Sequence, residues 1–210
     1  MARPRFDNLD PENRRHILET AAVEFAARGF EGASLNQLID RLGMSKGSFY
    51  YYFDNKADLF TTVAHHAWTI VLPVEDLDLG TLDEATFWPA LHTLVRSSRA
   101  RVHANPWVVG FTRLMYNPPA DGEVSESLER QFNEARQWQG LVIRRGQEVG
   151  AVRNDLPADL LLALLVGADE AGDHWFVERW ENIESDEIER LFEEVFGIYR
   201  RMLEDPRETS

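Results

Sequence analysis

The strongest constraint on the fold of this chain is the stretch 34–53, where apolar residues at helical spacing are interrupted once by a glycine. Leu38, Ile39 and Leu42 recur at the period of one helical face, which predicts a short first helix. Gly43 follows at once and favours a left-handed residue that ends the helix. We therefore expect two short helices joined by a tight turn, the arrangement of a helix-turn-helix.

The second of these helices has one apolar side and one side of small, basic and phenolic residues. Ser45 stands where a helix cap is expected, and Phe49 and Phe53 are four residues apart, so they should pack inward together. A glycine in this helix costs about 1 kcal/mol relative to alanine, but nothing protrudes there, which allows close approach to a phosphate or base edge. The outward residues are then Lys46, Gly47, Ser48, Tyr50 and Tyr51.

Some of these polar residues also have simpler explanations. Ser34 precedes the first helix and Gln37 follows three residues later, which predicts a capping box without any ligand. Alternatively, Tyr50 and Tyr51 are half-buried aromatic residues that fill the domain, and Lys56 is a solvated lysine at the start of the next helix. These explanations do not predict a shared outward face, which favours the binding interpretation.

The segment 12–66 resembles the DNA-binding domain of the tetracycline-repressor (TetR-like) family of bacterial transcriptional regulators. Three stretches in the right order carry the similarity: 25–34, 42–53 and 55–60. The resemblance implies that Ser34, Ser48, Tyr50 and Lys56 contact the DNA backbone, and that Asn36, Lys46, Gly47 and Tyr51 contact base edges. Hydroxyl groups and an ammonium suit phosphate oxygens, while an amide or a lysine suits purine edges. The family often has histidine where this chain has Tyr52, so the role of Tyr52 stays open.

Helical patterns continue to the end of the chain, so the sequence predicts an all-α fold. Asp10 and Pro11 are a cap and a first-position proline for the first helix. Further helices are expected at about 56–72, 82–103, 105–116, 124–149, 157–181 and 185–204. The predicted organisation is an N-terminal three-helix DNA-binding domain, 1–66, and a larger C-terminal helical ligand-binding and dimerisation domain, 67–210.

The last two predicted helices, about 157–181 and 185–204, carry the signal for assembly. The stretch 160–166 is apolar nearly all round, and the final helix has a broad apolar stripe. The family resemblance implies that these helices pair with the same helices of a second subunit in a homodimer. The two DNA-binding domains, 1–66 of each subunit and called reading heads below, would then lie on a palindromic operator. The alternative is that they close the core of a single subunit.

Aromatic residues between the reading head and these helices could line a pocket for a hydrophobic or cationic effector, which the family resemblance also implies. Asp169, Glu170, Asp173 and His174 form the sharpest polar group, and they could receive a cationic ligand or a metal if they are buried. The alternative is a polar stretch that meets arginines or water. The candidate ligand-binding residues are Trp88, Trp107, Phe111, Met115, Trp138, Asp173 and Trp175.

Composition limits how such a chain can bind DNA. The net charge is −14, but residues 1–66 contain 8 basic and 9 acidic residues, so most of the acidity lies further along. Because salt screens charges that are more than about 8 Å apart, DNA binding should depend on a few direct contacts. Arg3 and Arg5 could form a flexible arm for the minor groove, although a disordered terminus is the favoured expectation.

The absence of cysteine, of an apolar leader and of a long apolar run predicts a cytoplasmic protein without a membrane span.

Two functions from different classes fit the pattern. The favoured one is a ligand-responsive DNA-binding regulator, expected to be a repressor that a small molecule releases from its operator. The alternative is a helical metalloenzyme that uses Asp169, Asp173 and His174. The chain has no His-Glu-x-x-His motif, no Gly-x-Ser-x-Gly elbow and no cysteine nucleophile, so we expect no catalytic site, no cofactor and no structural metal.

Overall fold

The computed structural model of the chain describes residues 2–205 except the side chains of residues 181 and 185, and within that part every regular element is a helix. The predicted all-α fold is therefore confirmed, and the predicted helices after residue 56 are all present with ends within about three residues. The α-helices are α1 Pro4–Asp7, α2 Pro11–Gly32, α3 Leu35–Arg41, α4 Lys46–Tyr52, α5 Lys56–Val71, α6 Glu84–Ala104, α7 Trp107–Tyr116, α8 Gly122–Val149, α9 Ala158–Arg179 and α10 Ser185–Leu203. Short 3-10 turns lie at Val74–Asp76, Leu79–Thr81 and Trp180–Asn182.

Helix α2 begins as its sequence predicts but does not run straight to its end. The Asp10 side chain accepts hydrogen bonds from the backbone N–H groups of Glu12 and Asn13, and Pro11 occupies the first turn, where its missing donor costs nothing. Near the other end, Gly29 has a φ of 70° and a ψ of 172°, which kinks the helix. The last turn after this kink therefore points its carbonyl groups in a new direction.

The turn between α3 and α4 is built around Gly43. This glycine has a φ of 63°, the left-handed conformation that side chains disfavour. Its N–H donates to the Asp40 carbonyl at 3.1 Å, and the N–H of Met44 donates to the Ile39 carbonyl, also at 3.1 Å. This pair of bonds is a Schellman motif, which satisfies the last carbonyl groups of α3 and confirms the predicted helix-turn-helix geometry.

The chain divides into two compact units. The first comprises Met1–Val71 and Arg101–Phe132, so it contains the helix-turn-helix together with α7. Its core is an aromatic cluster in which the ring of Phe111, on α7, lies 4.9 Å from Phe60 and 6.5 Å from Phe25. All three side chains are fully buried. Helix α7 thus completes the hydrophobic core beneath the two short helices.

The second unit comprises Leu72–Ala100 and Asn133–Ser210. Phe87 and Trp88 on α6 are buried in its core, and the Trp88 indole donates to the Ala151 carbonyl at 3.1 Å. Arg99, only 7% exposed, pairs with Glu193 on α10 at 2.9 Å. The Trp88 indole and the Arg99 guanidinium therefore each have a partner on another segment of this unit.

Candidate nucleic-acid interface

Helix α4 has the two sides that its sequence predicts. Phe49 and Phe53 are fully buried, with ring centroids 5.3 Å apart, so their predicted inward packing is confirmed. On the other side, Tyr50 and Tyr51 are 48% and 47% exposed. Lys46, Gly47 and Ser48 are exposed as well. The outward side of α4 is therefore available to a partner, and its apolar side is anchored in the first unit.

Two serines hold the first turn of α4. The Ser45 hydroxyl oxygen accepts a hydrogen bond from the Ser48 backbone N–H at 3.0 Å, which confirms the predicted cap. The two hydroxyl oxygens also lie 2.9 Å apart in a side-chain hydrogen bond. This bond fixes the Ser48 hydroxyl on the exposed side of the helix and leaves it further hydrogen-bonding capacity.

Ser34 does not form the predicted capping box. It occupies the N-cap position of α3, but its side chain accepts no cap hydrogen bond, so that prediction is wrong. Neither Ser34 nor the exposed Asn36 forms a side-chain hydrogen bond with any residue in 2–205. Both polar groups lie at the start of α3, and neither stabilises the fold of the described chain through a side-chain hydrogen bond.

Lys56 is not a freely solvated lysine. Its Nζ donates to the carbonyl oxygens of Phe30 at 2.6 Å and of Ala33 at 3.0 Å, and it lies 4.4 Å from the centre of the Phe30 ring. These carbonyls belong to the turn after the kink in α2. Because an ammonium has three N–H donors, one remains for another acceptor. Lys56 therefore fixes the end of α2 next to Ser34 and keeps one donor free.

The N-terminal segment is ordered against α4, contrary to the expectation of a disordered terminus or a flexible arm. Phe6 is 1% exposed and its ring lies 4.9 Å from that of Phe53. The Arg3 backbone N–H donates to the Tyr52 carbonyl, and its guanidinium donates to the Tyr50 carbonyl, both at 2.9 Å. The same guanidinium pairs with Asp54. The sequence pattern missed this docking because one buried phenylalanine carries no periodic signal.

Two acidic residues of the first unit are turned inward. Glu24 is 2% exposed and pairs with Arg28 at 2.8 Å and Arg41 at 2.9 Å. Asp58 is also 2% exposed and accepts a hydrogen bond from the Asp54 backbone N–H at 2.9 Å. The negative charge of this unit is therefore partly buried and paired, which lowers its repulsion of a polyanion at the surface.

Three of the candidate ligand-binding residues lie in the first unit. Phe111 is fully buried and Met115 is 4% exposed, and both belong to its hydrophobic core. Trp107 stacks on His66 with ring centroids 5.8 Å apart, and burial is the main cause that lowers the pKa of His66 below its usual value.

Two further residues of this unit have buried polar atoms: Trp68, one of the aromatic residues that the sequence offered for a pocket, and Gln131, which the sequence did not single out. The buried indole N–H groups of Trp68 and Trp107 and the buried Gln131 Oε1 have no hydrogen-bond partner within residues 2–205. Buried polar atoms normally find a partner, so such atoms call for an explanation. No sequence signal marks them, because burial of a polar atom is visible only in the packed structure.

The other four candidates lie in the second unit, so the structure does not bring all seven together in one unit. Trp88 and Trp138 contribute to its hydrophobic core. Trp175 is 39% exposed, with the Arg179 guanidinium 4.9 Å from its ring centre. Asp173 lies on α9 beside Asp169. Aromatic composition alone could not separate core residues from residues on an open face.

Asp169 is a strongly perturbed titratable group of the second unit. Burial, followed by the neighbouring charge of Asp173, raises the pKa of Asp169 to about 7. Its carboxyl accepts hydrogen bonds from Gln139, at 3.2 Å, and from Tyr199. Burial and the two aspartates in turn raise the pKa of the Tyr199 hydroxyl. This part of the polar group predicted from the sequence is therefore an internal hydrogen-bonded cluster between α8, α9 and α10.

The same region does not form a metal centre. Glu170 pairs with Arg136 at 2.8 Å, and His174 is exposed. Among the side chains that the structure describes, no group of three or more histidine, aspartate or glutamate residues is arranged to hold a metal ion. The metalloenzyme alternative therefore finds no support in the arrangement of these side chains.

The fold and the exposed side of α4 define a helix-turn-helix DNA-binding protein. Residues 17–63 match the family model described as bacterial regulatory proteins, tetR family. The chain is 30% identical over 163 residues to the HTH-type transcriptional repressor SCO4008 of Streptomyces coelicolor, an alignment that covers 75% of this chain and 77% of that protein. The chain belongs to the TetR family of bacterial regulatory proteins. It is a DNA-binding transcriptional regulator and not an enzyme.

Solved structures show the same fold. The fatty acid degradation regulator FadR from Bacillus halodurans superposes with a TM-score of 0.73 at 16% identity, over 89% of this chain and 97% of that one. FadR from Bacillus subtilis, solved in complex with stearoyl-CoA, gives a TM-score of 0.71 at 14% identity, over 88% and 96% of the two chains. Among the described residues, no helix is both long and apolar enough to cross a membrane.

Proposed function

We propose that this chain is a homodimeric, ligand-responsive repressor that binds a palindromic operator through the exposed side of α4 and the start of α3. The main observation behind the proposal is a set of polar side chains that are held in place by the fold but have no hydrogen-bond partner within it. The Ser34 hydroxyl and the Asn36 amide lack side-chain partners in 2–205, and Lys46 is exposed. DNA supplies the acceptors and donors that such groups need.

The eight proposed DNA contacts divide by chemistry. Hydroxyl groups and the remaining Lys56 donor suit phosphate oxygens, which fix the register of the protein on the duplex. An amide and an extended ammonium suit purine edges in the major groove, where sequence is read. The proposed backbone contacts are Ser34, Ser48, Tyr50 and Lys56, and the proposed base contacts are Asn36, Lys46, Gly47 and Tyr51.

The chain offers a direct test because it contains only two lysines, Lys46 and Lys56. Acetylation followed by mass spectrometry would compare the labelling rate of each lysine with and without DNA from the region upstream of the chain's own gene. Lys46 should be labelled quickly in the free protein and be protected by DNA. Lys56 should be labelled slowly in both states because two carbonyl groups hold its ammonium. If saturating DNA leaves the Lys46 rate unchanged, α4 is not the reading helix.

Exposed apolar side chains on α9 and α10 of the second unit favour a second copy of the chain as its partner. On α9, Leu160 and Leu164 are 45% and 47% exposed, although Leu161 between them is fully buried. On α10, Ile198 is 53% exposed. Large apolar side chains that are exposed on both α9 and α10 favour an interaction surface on these helices. A twofold dimer would also place two reading heads on a palindromic site.

Sedimentation equilibrium would test the dimer with a matched pair of variants. Leu164→Arg places a charge on the exposed face of α9 and should shift the chain from dimer to monomer. Leu141→Arg makes the same change on α8 at a residue that is 50% exposed, and it should leave the dimer intact. A dimer that persists unchanged in Leu164→Arg would place the interface elsewhere.

The effector that we propose is a small hydrophobic or cationic molecule. FadR from Bacillus subtilis was solved with stearoyl-CoA, which supports a ligand with an apolar part for a chain of this fold. The candidate contacts are not offered as one site: Trp88, Trp138, Asp173 and Trp175 belong to the second unit, and Trp107, Phe111 and Met115 belong to the first. Such a ligand would release DNA only if it binds the released conformation more tightly, since its differential affinity limits the shift.

We also place this repressor in the cytoplasm, where a bacterial operator is found.

A thermal-shift comparison of stearoyl-CoA, a short-chain acyl-CoA and a quaternary ammonium compound would test the effector class. The expected result is stabilisation by one class together with a reduced affinity for DNA. Stabilisation without any change in DNA affinity would remove that compound as an effector.

A further inference from the structure

Arg5 differs from its neighbour Arg3 in having no ionic partner in the described chain. Its guanidinium carbon lies 4.7 Å from the centre of the Tyr51 ring, and the residue is exposed. Within residues 2–205, Arg5 forms no side-chain hydrogen bond and no ion pair with a carboxylate. The guanidinium of Arg3, in contrast, is neutralised by Asp54. Arg5 is therefore an unneutralised positive charge held beside the exposed side of α4.

The backbone around Arg5 is fixed from both sides. On one side, the Ala2 backbone N–H donates to the Thr62 hydroxyl at 2.8 Å, and Arg3 is bonded to the carbonyl groups at the end of α4. On the other side, Phe6 is buried against Phe53. The short helix α1 carries Arg5 between these anchors. Little conformational entropy is therefore lost when Arg5 binds a ligand, unlike an arginine on a free arm.

The contact with Tyr51 holds the Arg5 guanidinium over the ring. The ring quadrupole attracts the cation, and the N–H groups of Arg5 have no acceptor among the described residues. Those N–H groups match two oxygens of a phosphate group. Tyr51 itself lies on the exposed side of α4, so an anion that meets this side also meets Arg5.

We propose that Arg5, stacked on Tyr51, is a DNA backbone contact that binds a phosphate group at the C-terminal end of the reading helix. This inference rests on the proposed DNA-binding function and adds a residue outside the helix-turn-helix to it. A fixed cation at this point matters in a chain with a net charge of −14, where non-specific attraction to DNA is weak. The contact fixes the position of α4 and reads no sequence.

The test measures DNA affinity at several salt concentrations for the full-length wild type, Arg5→Ala and Arg144→Ala. Arg144 is exposed on α8 in the second unit, outside the two helices proposed for the dimer, and its removal changes the net charge equally. Arg5→Ala should weaken binding about tenfold on both the upstream DNA and a scrambled duplex. The slope of log affinity against log salt should become shallower by about one per subunit. Arg144→Ala should match the wild type.

Two outcomes would overturn the proposal. One is that Arg5→Ala and Arg144→Ala bind with the same affinity and salt slope. The other is that Arg5→Ala weakens binding only to the upstream DNA, which would make Arg5 a reader of bases. A double-mutant cycle with Tyr51→Ala adds a further check, since the two changes should be clearly non-additive if the ring orients the guanidinium.

The experiment separates this inference from the proposed function. If the wild type binds the upstream DNA and Lys46 is protected, but Arg5→Ala binds equally well, only the Arg5 contact fails. If the wild type does not bind and Lys46 is not protected, the reading-head assignment fails and the Arg5 contact fails with it. Thermal unfolding of Arg5→Ala should match that of the wild type, which excludes a folding defect as the cause of weaker binding.

Discussion

Replacing Gly47 by alanine should move stability and DNA affinity in opposite directions. Gly47 is exposed in the first turn of α4, and a Cβ atom added there would meet only the Ser45 hydroxyl oxygen, at 3.7 Å. That distance is an ordinary van der Waals contact, so the folded chain has room for the methyl group. Alanine is also the better helix former by up to about 1 kcal/mol.

The two expected changes can be given magnitudes. A gain of that size raises the midpoint of thermal unfolding by about 2–4 °C in a chain of this length. If the backbone at Gly47 approaches DNA as closely as proposed, the methyl group separates the surfaces and breaks at least one direct contact. Loss of one such contact costs about 1–3 kcal/mol, which corresponds to roughly a tenfold to hundredfold weaker affinity.

Differential scanning calorimetry and fluorescence anisotropy with operator DNA would measure both quantities on one preparation. Gly122→Ala is the matched control, because Gly122 is also exposed in a first turn and no atom lies within 4 Å of its added Cβ. The control should gain a similar stability and keep the wild-type affinity. If Gly47→Ala also keeps the wild-type affinity, the reasoning that this glycine allows close approach to DNA is refuted.

Three further variants test polar groups that are packed within the two units. Lys56→Met should lower the free energy of unfolding by about 1–3 kcal/mol in chemical denaturation, because two carbonyl groups lose their donor; an unchanged stability would contradict the clamp at the end of α2. Because the pKa of Asp169 is raised to about 7, the stability contributed by its protonated form is complete below about pH 4 and is lost as the pH rises through 7. This fall in the free energy of unfolding approaches about 1.4 kcal/mol per pH unit. Asp169→Asn should remove the fall, and identical stability–pH profiles of the variant and the wild type would disprove it. Gln131→Leu should raise the unfolding temperature by about 2–4 °C, since it removes a buried acceptor without a partner, and a lower temperature would show that this acceptor is satisfied.

Local signals made the reading head predictable from the sequence. The left-handed stop at Gly43, the Ser45 cap and the inward pair Phe49 and Phe53 each depend on neighbours within a few residues, and all three are found. The capping box of Ser34 failed even though its spacing was right. Such a box requires a particular orientation of the side chain, and residue spacing does not fix that orientation.

Long-range packing was less predictable. Docking of the N-terminal segment depends on Phe6, which meets residues almost fifty positions away. The role of Lys56 depends on a kink in α2 that turns two carbonyl groups toward it. Among the candidate ligand contacts, Phe111 joined the core of the first unit and Trp175 lies on an open face of the second. Residue type alone gave these two side chains the same expectation.

Completion of the reading head's core by α7 limits how the protein can be divided in practice. Phe111 covers Phe25 and Phe60, so a fragment that stops near residue 66 would leave a broad aromatic face open to water. Such a fragment should aggregate or unfold. A chimera meant to transfer DNA specificity to a relative would therefore need α7 as well as the helix-turn-helix, so the transferable module is discontinuous in sequence.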